Sequence, residues 1–391
     1  MEGTDFIMKR ALMLASVASM IDQFNMGNIN ILKEMGYQVD VACNFEFGSS
    51  TSQERVNIFR QELIQNNIKP YHLPIPRDIK KLKKMFISYN LVKKIINQNN
   101  YDIIHCHSPI GGVIARLANR NSRNKGTKMI YTAHGFHFYK GAPLKNWLIY
   151  YPVERLLAKY TDVLIAINKE DFQSATSLLK VKRVEYLPGV GIDIDKFNGI
   201  EVDKELKRNQ LGLLKDTFIL LSVGELNKNK NQEVVIRALA DINNTDIHYV
   251  ICGKGVLEKN LKNLSKELGV ENQVHFLGFR KDISEICKIV DLFVFPSYRE
   301  GLSVALMEAM AAGLPIVCSN IRGNVDLINH GINGFLVEPH NVNGFTKYID
   351  KIISDRAIQM SMSNKNLELV KNYDRLIIRE EMNKIYGKLS N

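Results

Sequence analysis

No stretch of this sequence approaches the roughly 20 consecutive apolar residues that a spanning helix needs, which excludes a chain threaded through a membrane by helices. Cysteine is scarce and scattered at Cys43, Cys106, Cys252, Cys287 and Cys318, with no Cys-x-x-Cys pair. Most of these lie in or near apolar strand-like runs, so buried free thiols in a reducing compartment are the natural reading. No collagen-like, disordered or low-complexity tract is present, and no short-period repeat. The opening Met1–Ile7 lacks the architecture of a signal peptide. Met8-Lys9-Arg10 then leads directly into an apolar strand, so Met1–Ile7 reads as an extension ahead of a start at Met8.

What is present is an ordinary globular composition, 45% hydrophobic and 24% charged, over 391 residues. That length exceeds what one core usually organises, so two domains are expected. The formal net charge of +11 is unevenly spread: residues 1–190 carry 26 Lys and Arg against 15 Asp and Glu, and the remainder carries 26 of each. Such asymmetry points to an acidic partner on the first half, such as a membrane surface, a phosphorylated substrate or nucleic acid; a solubilising surface is the plainer alternative.

Strand-like and helix-like segments alternate, which implies parallel sheets covered by helices. In the first half, Ala11–Val17, Val39–Ala42, Ile103–His105, Lys128–Thr132 and Val163–Ile167 read as strands, with helices such as Ile29–Met35 and Leu144–Tyr160 among them. A second series runs through Phe218–Val223, Ile247–Cys252, Val274–Leu277, Leu292–Phe295 and Ile316–Cys318. Between the series, Leu187–Asp193 holds a Pro and two Gly that break both element types, and reads as a hinge. The expected architecture is α/β, with two Rossmann-like domains, 1–187 and 188–373, facing each other across a cleft. A helix over 374–391 is expected to pack back on the first domain.

Pro296-Ser297-Tyr298-Arg299-Glu300-Gly301-Leu302-Ser303 is the most informative stretch. A strand ends at Pro296, a glycine turn follows, and a helix is expected to begin near Leu302. That arrangement aims backbone N–H groups at a phosphate. Glu300 stands before the helix and Glu308 two turns into it. Carboxylates on both sides of a phosphate-binding helix start suit a ligand with hydroxyls on both sides of a diphosphate, which describes a nucleotide sugar. An amphipathic helix with incidental Glu residues is the plainer alternative.

Ser222-Val223-Gly224 ends another strand. A Gly at that bend lets the chain approach a ligand, and Lys230 can supply charge to a diphosphate. Cys252-Gly253-Lys254-Gly255 makes a further strand-end glycine turn, and Tyr131-Thr132-Ala133-His134 aims a histidine into the cleft. His105 and His107 form a His-x-His at the end of another strand; His107 is a cleft candidate and His105 reads as core. No carboxylate or Cys accompanies these histidines with metal-ligand spacing, so no metal is expected. Asp193-Ile194-Asp195 lies in the hinge and reads as a structural turn.

Glu300 and Glu308 match the E-x7-E motif of glycosyltransferase family 4. Pro296–Gly301, Ala309-Met310-Ala311-Ala312-Gly313-Leu314-Pro315 and Gly331-Ile332-Asn333-Gly334-Phe335 resemble consecutive signatures of that family, in order, so the resemblance covers nearly the whole chain. It implies the GT-B fold, transfer from a nucleoside-diphosphate sugar with retention of configuration, UDP by family habit, and no metal cofactor. It further implies that Glu308 holds the ribose hydroxyls, Glu300 contacts the transferred sugar, and His134 touches that sugar near the reacting carbon. Gly224, Gly253, Gly301, Leu302 and Ser303 would line the donor, with Phe279 and Arg280 near the base. The family places an Arg after the first Gly, where this chain has Glu225; Arg299 or Arg322 is expected to restore that charge.

The acceptor is expected on the first domain. Arg77–Phe86 and Leu91–Ile96 carry seven cations against one acid, interleaved with Ile, Leu, Met and Phe. That pattern suits anionic lipid, the alternative being a solvated helix packed on its sheet. The run from Thr132 to Pro152 resembles bacterial capsule and exopolysaccharide transferases, which implies a polyprenyl-diphosphate-linked sugar acceptor. A cytoplasmic enzyme at the inner face of the plasma membrane follows. A sugar-nucleotide epimerase and a catalytically degenerate scaffold are the competing readings. Nucleic acid is not expected, since no reading motif accompanies the basic half.

Overall fold

The computed structural model describes residues 8–46 and 51–390, so Met1–Ile7, read above as an extension, lies outside the described residues. The chain forms two compact units. One runs to Val190 and takes up the chain again at Ile378, and the other is Gly191–Ile377.

The first unit is built on seven strands: β1 (Arg10–Leu14), β2 (Gln38–Cys43), β3 (Lys69–His72), β4 (Ile103–His107), β5 (Lys128–Ala133), β6 (Val163–Ala166) and β7 (Arg183–Tyr186). They lie in the order β3-β2-β1-β4-β5-β6-β7, all parallel. The second unit has β8 (Phe218–Val223), β9 (Ile247–Cys252), β10 (Val274–Gly278), β11 (Leu292–Phe295), β12 (Ile316–Ser319) and β13 (Phe335–Val337). Their order is β10-β9-β8-β11-β12-β13, again parallel throughout. Both are Rossmann-like sheets.

Side chains alternate across the first sheet with period two. Ala11, Met13 and Ala15 enter one core with Val56, Phe59 and Tyr386, while Leu12 and Leu14 enter the other with Val92, Ile96 and Ile114. Burial on both faces explains why the central strands read as continuous apolar runs. The last helix, Arg375–Ser390, sends Ile378, Met382, Ile385 and Tyr386 into the first unit's core. Among the described residues no helix is long and apolar enough to cross a membrane.

Candidate functional site

In each sheet the strand order reverses once, between β1 and β4 in the first and between β8 and β11 in the second. Loops leaving the carboxyl ends of strands diverge at such a point, and ligands of open α/β sheets bind there. Nearly all the residues singled out in the second series leave β8 and β11 or their immediate neighbours.

The loop after β8 carries Lys230, and the loop after β11 carries Glu300. Lys230 Nζ donates to Glu300 Oε1 at 2.7 Å, with both side chains mostly buried. The ammonium lies 4.7 Å from the centre of the Phe295 ring. Its stem crosses Gly224, where a Cβ would stand 3.1 Å from Lys230 Cε. Two asparagines lace the loops together around the lysine. Asn229 Nδ2 donates to Arg299 O at 2.9 Å and the Tyr298 amide donates to Asn229 O at 2.8 Å. Asn231, left-handed at φ +51°, donates from Nδ2 to Pro296 O at 3.1 Å and Pro339 O at 2.7 Å. The sequence signal for both was the tolerance of Asn for turn and left-handed backbone, and neither was read as part of the site.

A third loop, after β12, closes on the same group. Arg322 is buried and its Nε donates to Glu300 O at 3.3 Å. Gly323 has φ +82°, and a Cβ there would fall 2.1 Å from Gly301 O, so only glycine permits this approach. Arg322 therefore sits beside Glu300, whereas Arg299 is exposed and contributes its carbonyl to Asn229. Glu225, at the position where an Arg was expected, is exposed.

The helix beyond Glu300 spans Val304–Ala311 rather than beginning at Leu302. Ser303 is its N-cap, with Oγ accepting from the Leu306 amide at 3.3 Å, so the extended cap and Leu302 stay outside the helix. Glu308 lies half-buried on this helix; burial raises its carboxyl above the usual range and Lys196 opposes that rise.

In the first unit, β4 and β5 deliver a ladder of histidines. The rings of His105 and His107 lie tilted at 36° with centres 4.2 Å apart, and both are buried. His105 Nδ1 meets Tyr386 Oη at 2.7 Å and its Nε2 meets Thr132 Oγ1 at 2.7 Å. His107 Nδ1 lies 3.1 Å from His134 Nε2, and its Nε2 lies 3.2 Å from Met13 Sδ. A thioether accepts and cannot donate, so the hydrogen of neutral His107 belongs on Nε2. Its Nδ1 is then an acceptor, His134 donates from Nε2, and His134 Nδ1 is left with a lone pair. The half-buried His134 thus presents an acceptor for a hydroxyl. Its loop is pinned by Asp171, which accepts from the Phe136 amide at 3.0 Å and from Asn168 Nδ2 at 2.8 Å.

Two family models match this chain, one described as glycosyl transferase 4-like over residues 12–168 and one as glycosyl transferases group 1 over 203–369. The chain is 35% identical over 383 residues to EpsD of Bacillus subtilis (strain 168), a protein designated a glycosyltransferase, covering 97% of this chain and 96% of that one. The chain belongs to the group 1, GT4-like glycosyltransferases. The transferase is also 32% identical, over 76% of each chain, to an Escherichia coli UDP-Gal:alpha-D-GlcNAc-diphosphoundecaprenol alpha-1,3-galactosyltransferase. Among solved structures it resembles Anabaena HepE in complex with UDP and glucose (TM-score 0.77, 20% identity, 97% and 100% of the two chains). It also resembles WaaG, a glycosyltransferase involved in lipopolysaccharide biosynthesis (TM-score 0.72, 18% identity, 96% and 99%). These likenesses give the transferase the GT-B type of fold.

Other residues of the transferase engage neighbours within their own unit. A Cβ on Gly253 would fall 1.8 Å from Gly224 O, so the neighbouring loop of the same unit itself requires glycine here. Arg280 is engaged by Asp282 through Nε at 2.8 Å and Nη2 at 2.5 Å, while Phe279 is exposed. Asp193 accepts from the Lys196 amide at 3.3 Å and pairs with Arg375 at 3.1 Å, as a turn residue does. His137 stacks on Tyr150 with centres 4.5 Å apart. Among the described residues no group of three or more His, Cys, Asp and Glu is arranged to hold a metal ion.

The ladder predicts acid lability. Burial pushes His105 down to about 3 and His134 down to about 4, from an ordinary 6.5, and holds His107 well below that value. As pH falls, the unfolded chain takes up these protons first. The histidine contribution to stability is therefore complete above about 6.5 and is lost as pH falls toward about 4. Thermal midpoints measured across this window should fall steeply in the native chain and less steeply in His107→Asn.

Proposed function

We propose that this transferase moves a sugar from a UDP-sugar to a saccharide carried on a polyprenyl diphosphate, with retention of configuration, in the synthesis of a cell-surface polysaccharide. The Lys230–Glu300 pair at the β8/β11 switch point carries the reading. Lys230 has three donor hydrogens and spends one on Glu300, so it can also hold a diphosphate oxygen. Arg322 beside Glu300 and the backbone N–H groups from Gly301 to Ser303 complete the anion site. Arg322 is the replacement for the arginine missing at Glu225. Glu300 accepts from hydroxyls of the sugar, and Glu308 accepts from the ribose diol. The acceptor oxygen bonds to the anomeric carbon as the bond from that carbon to phosphate breaks, and the hydroxyl proton passes to the departing phosphate oxygen. Leaving-group charge is met by Lys230, Arg322 and backbone dipoles.

The donor and acceptor classes are supported by the relatives, one of which is a UDP-Gal:alpha-D-GlcNAc-diphosphoundecaprenol galactosyltransferase. A cytoplasmic enzyme meeting an anionic membrane through the basic stretch Arg77–Ile96 accords with a lipid-borne acceptor. Incubation with radiolabelled UDP-sugars and a polyprenyl-diphosphate-linked acceptor tests the assignment. Label should enter the lipid fraction, and donor should be consumed only when acceptor is present. Donor conversion without acceptor would make the chain an epimerase instead, and no conversion despite nucleotide binding would make it a scaffold.

A further inference from the structure

We propose that the second unit carries a saccharide-binding cleft apart from the donor site, formed between the helices Gln232–Ile242 and Glu258–Glu267, and that its ligand is an uncharged oligosaccharide. The chemistry of the cleft carries this independently of the donor and acceptor assigned above.

Both helices belong to the second unit and pack against each other, the first following β8 and the second β9. Between them lies a cleft of about 530 Å³, within the roughly 300–1,000 Å³ usual for small-ligand sites. Asn227 and Lys228 from the loop after β8, and Tyr298 from the loop after β11, complete its lining. None of Lys230, Glu300, Glu308 and Arg322 lines it, so it is separate from the group assigned to the nucleotide sugar.

The helix Glu258–Glu267 is two-sided. Lys259, Lys262 and Lys266 recur at intervals of three and four along one side, and Asn260, Asn263 and Glu267 recur at the same intervals along another. The second row lines the cleft and the first does not. Asparagine is a poor residue for a helix interior, because its amide competes for backbone hydrogen bonds. Asn263 stands in that interior, exposed, and among the described residues no hydrogen bond within the protein engages its side chain or that of Asn260. Asn227 is preset for the same use: its Oδ1 accepts from the Lys230 amide at 3.1 Å, which leaves both Nδ2 hydrogens for a ligand. Gln232, 3% exposed, lines the same cleft; its Nε2 donates to Glu225 O at 3.2 Å while its Oε1 meets no donor of the protein. A buried amide oxygen left in that state marks a place for a donor from outside.

The lining selects the ligand class. Each amide offers donors and an acceptor on adjacent atoms, which matches the vicinal hydroxyls of a sugar. Tyr298, 48% exposed, offers a ring face on which the C–H face of a pyranose packs, and Leu257 and Leu264 add apolar surface beside it. Charge is nearly balanced, since Lys228 stands against Glu267, and Glu233 is taken by Arg237 at 2.7 Å. A phosphate or a nucleotide would find a single lysine here with a carboxylate opposing it, whereas an uncharged sugar finds partners for its hydroxyls and its ring.

Maltotriose and chitotriose are the probes, titrated into the full-length protein with and without saturating UDP and followed by calorimetry and saturation-transfer NMR. At least one should bind with a dissociation constant of about 1 mM or below, and UDP should not displace it. Asn260→Ala/Asn263→Ala should weaken that binding about tenfold, with the affinity for UDP unchanged and the thermal midpoint unchanged or raised. Tyr298→Phe should keep the binding and Tyr298→Ala should lose it. Binding of neither trisaccharide overturns the proposal. So does binding that UDP displaces or that the asparagine substitutions leave intact, since the sugar then sits in the donor or the acceptor site. Affinity for UDP is read on the same samples, so failure of the cleft and failure of the nucleotide-sugar site are distinguishable.

Discussion

Lys230→Met should lower kcat about 100- to 1,000-fold, the usual effect of removing one preorganised donor from a developing negative charge. Methionine keeps most of the stem that crosses Gly224 and removes only the ammonium. The ion pair with Glu300 is mostly buried, at 21% and 15% side-chain exposure, so leaving Glu300 unpartnered should cost stability on the order of 1–3 kcal/mol. A large fall in kcat while the protein is still fully folded at the assay temperature would mark Lys230 as a group acting on the reacting phosphate. A parallel loss of both would reduce it to a bolt between two loops. Single-turnover rates at saturating donor, measured alongside thermal unfolding, separate the two outcomes.

Glu308→Ala should weaken nucleotide binding at least tenfold and leave the fold as stable as before, or more so. The first half follows from the ribose diol, whose two hydroxyls would each lose a charge-assisted hydrogen bond worth about 1.5–3 kcal/mol. The second follows from the position. Burial raises the Glu308 carboxyl above its ordinary 4.5, so its ionised form costs stability once the pH exceeds that value. Alanine removes this cost and is the best helix former for Val304–Ala311. A side chain retained for packing would show the opposite pattern, with lower stability and unchanged affinity.

The centre of each sheet was legible because parallel strands buried on both faces leave unbroken β-branched and aliphatic runs. The edges were not. Lys-Pro-Tyr-His in β3 and Arg-Val-Glu-Tyr in β7 are half-buried and mixed in character, and Phe335–Val337 is three residues long. Their strand state comes from a neighbour's ladder, which no local period records. The same division holds at the candidate site. Glu300, Glu308, Lys230 and His134 stand next to strand ends and glycine turns, so their neighbourhood could be read locally. Asn229, Asn231, Asp171 and Tyr386 act through partners tens to hundreds of residues away, as in the 281-residue separation between His105 and Tyr386. Gly253 is a further such case: a Cβ there would meet the carbonyl of Gly224 in a neighbouring loop. Arg322 and Arg299 were both candidates for the missing charge, and the contact of Arg322 with Glu300 O joins two loops that no local pattern relates.

A nucleotide-sugar site at the β8/β11 switch point is tested by calorimetric titration of the full-length protein with UDP, GDP and ADP. UDP should bind in the micromolar range, with affinity weakened at least tenfold by Glu308→Ala. Folded protein that binds none of the three nucleotides would contradict it.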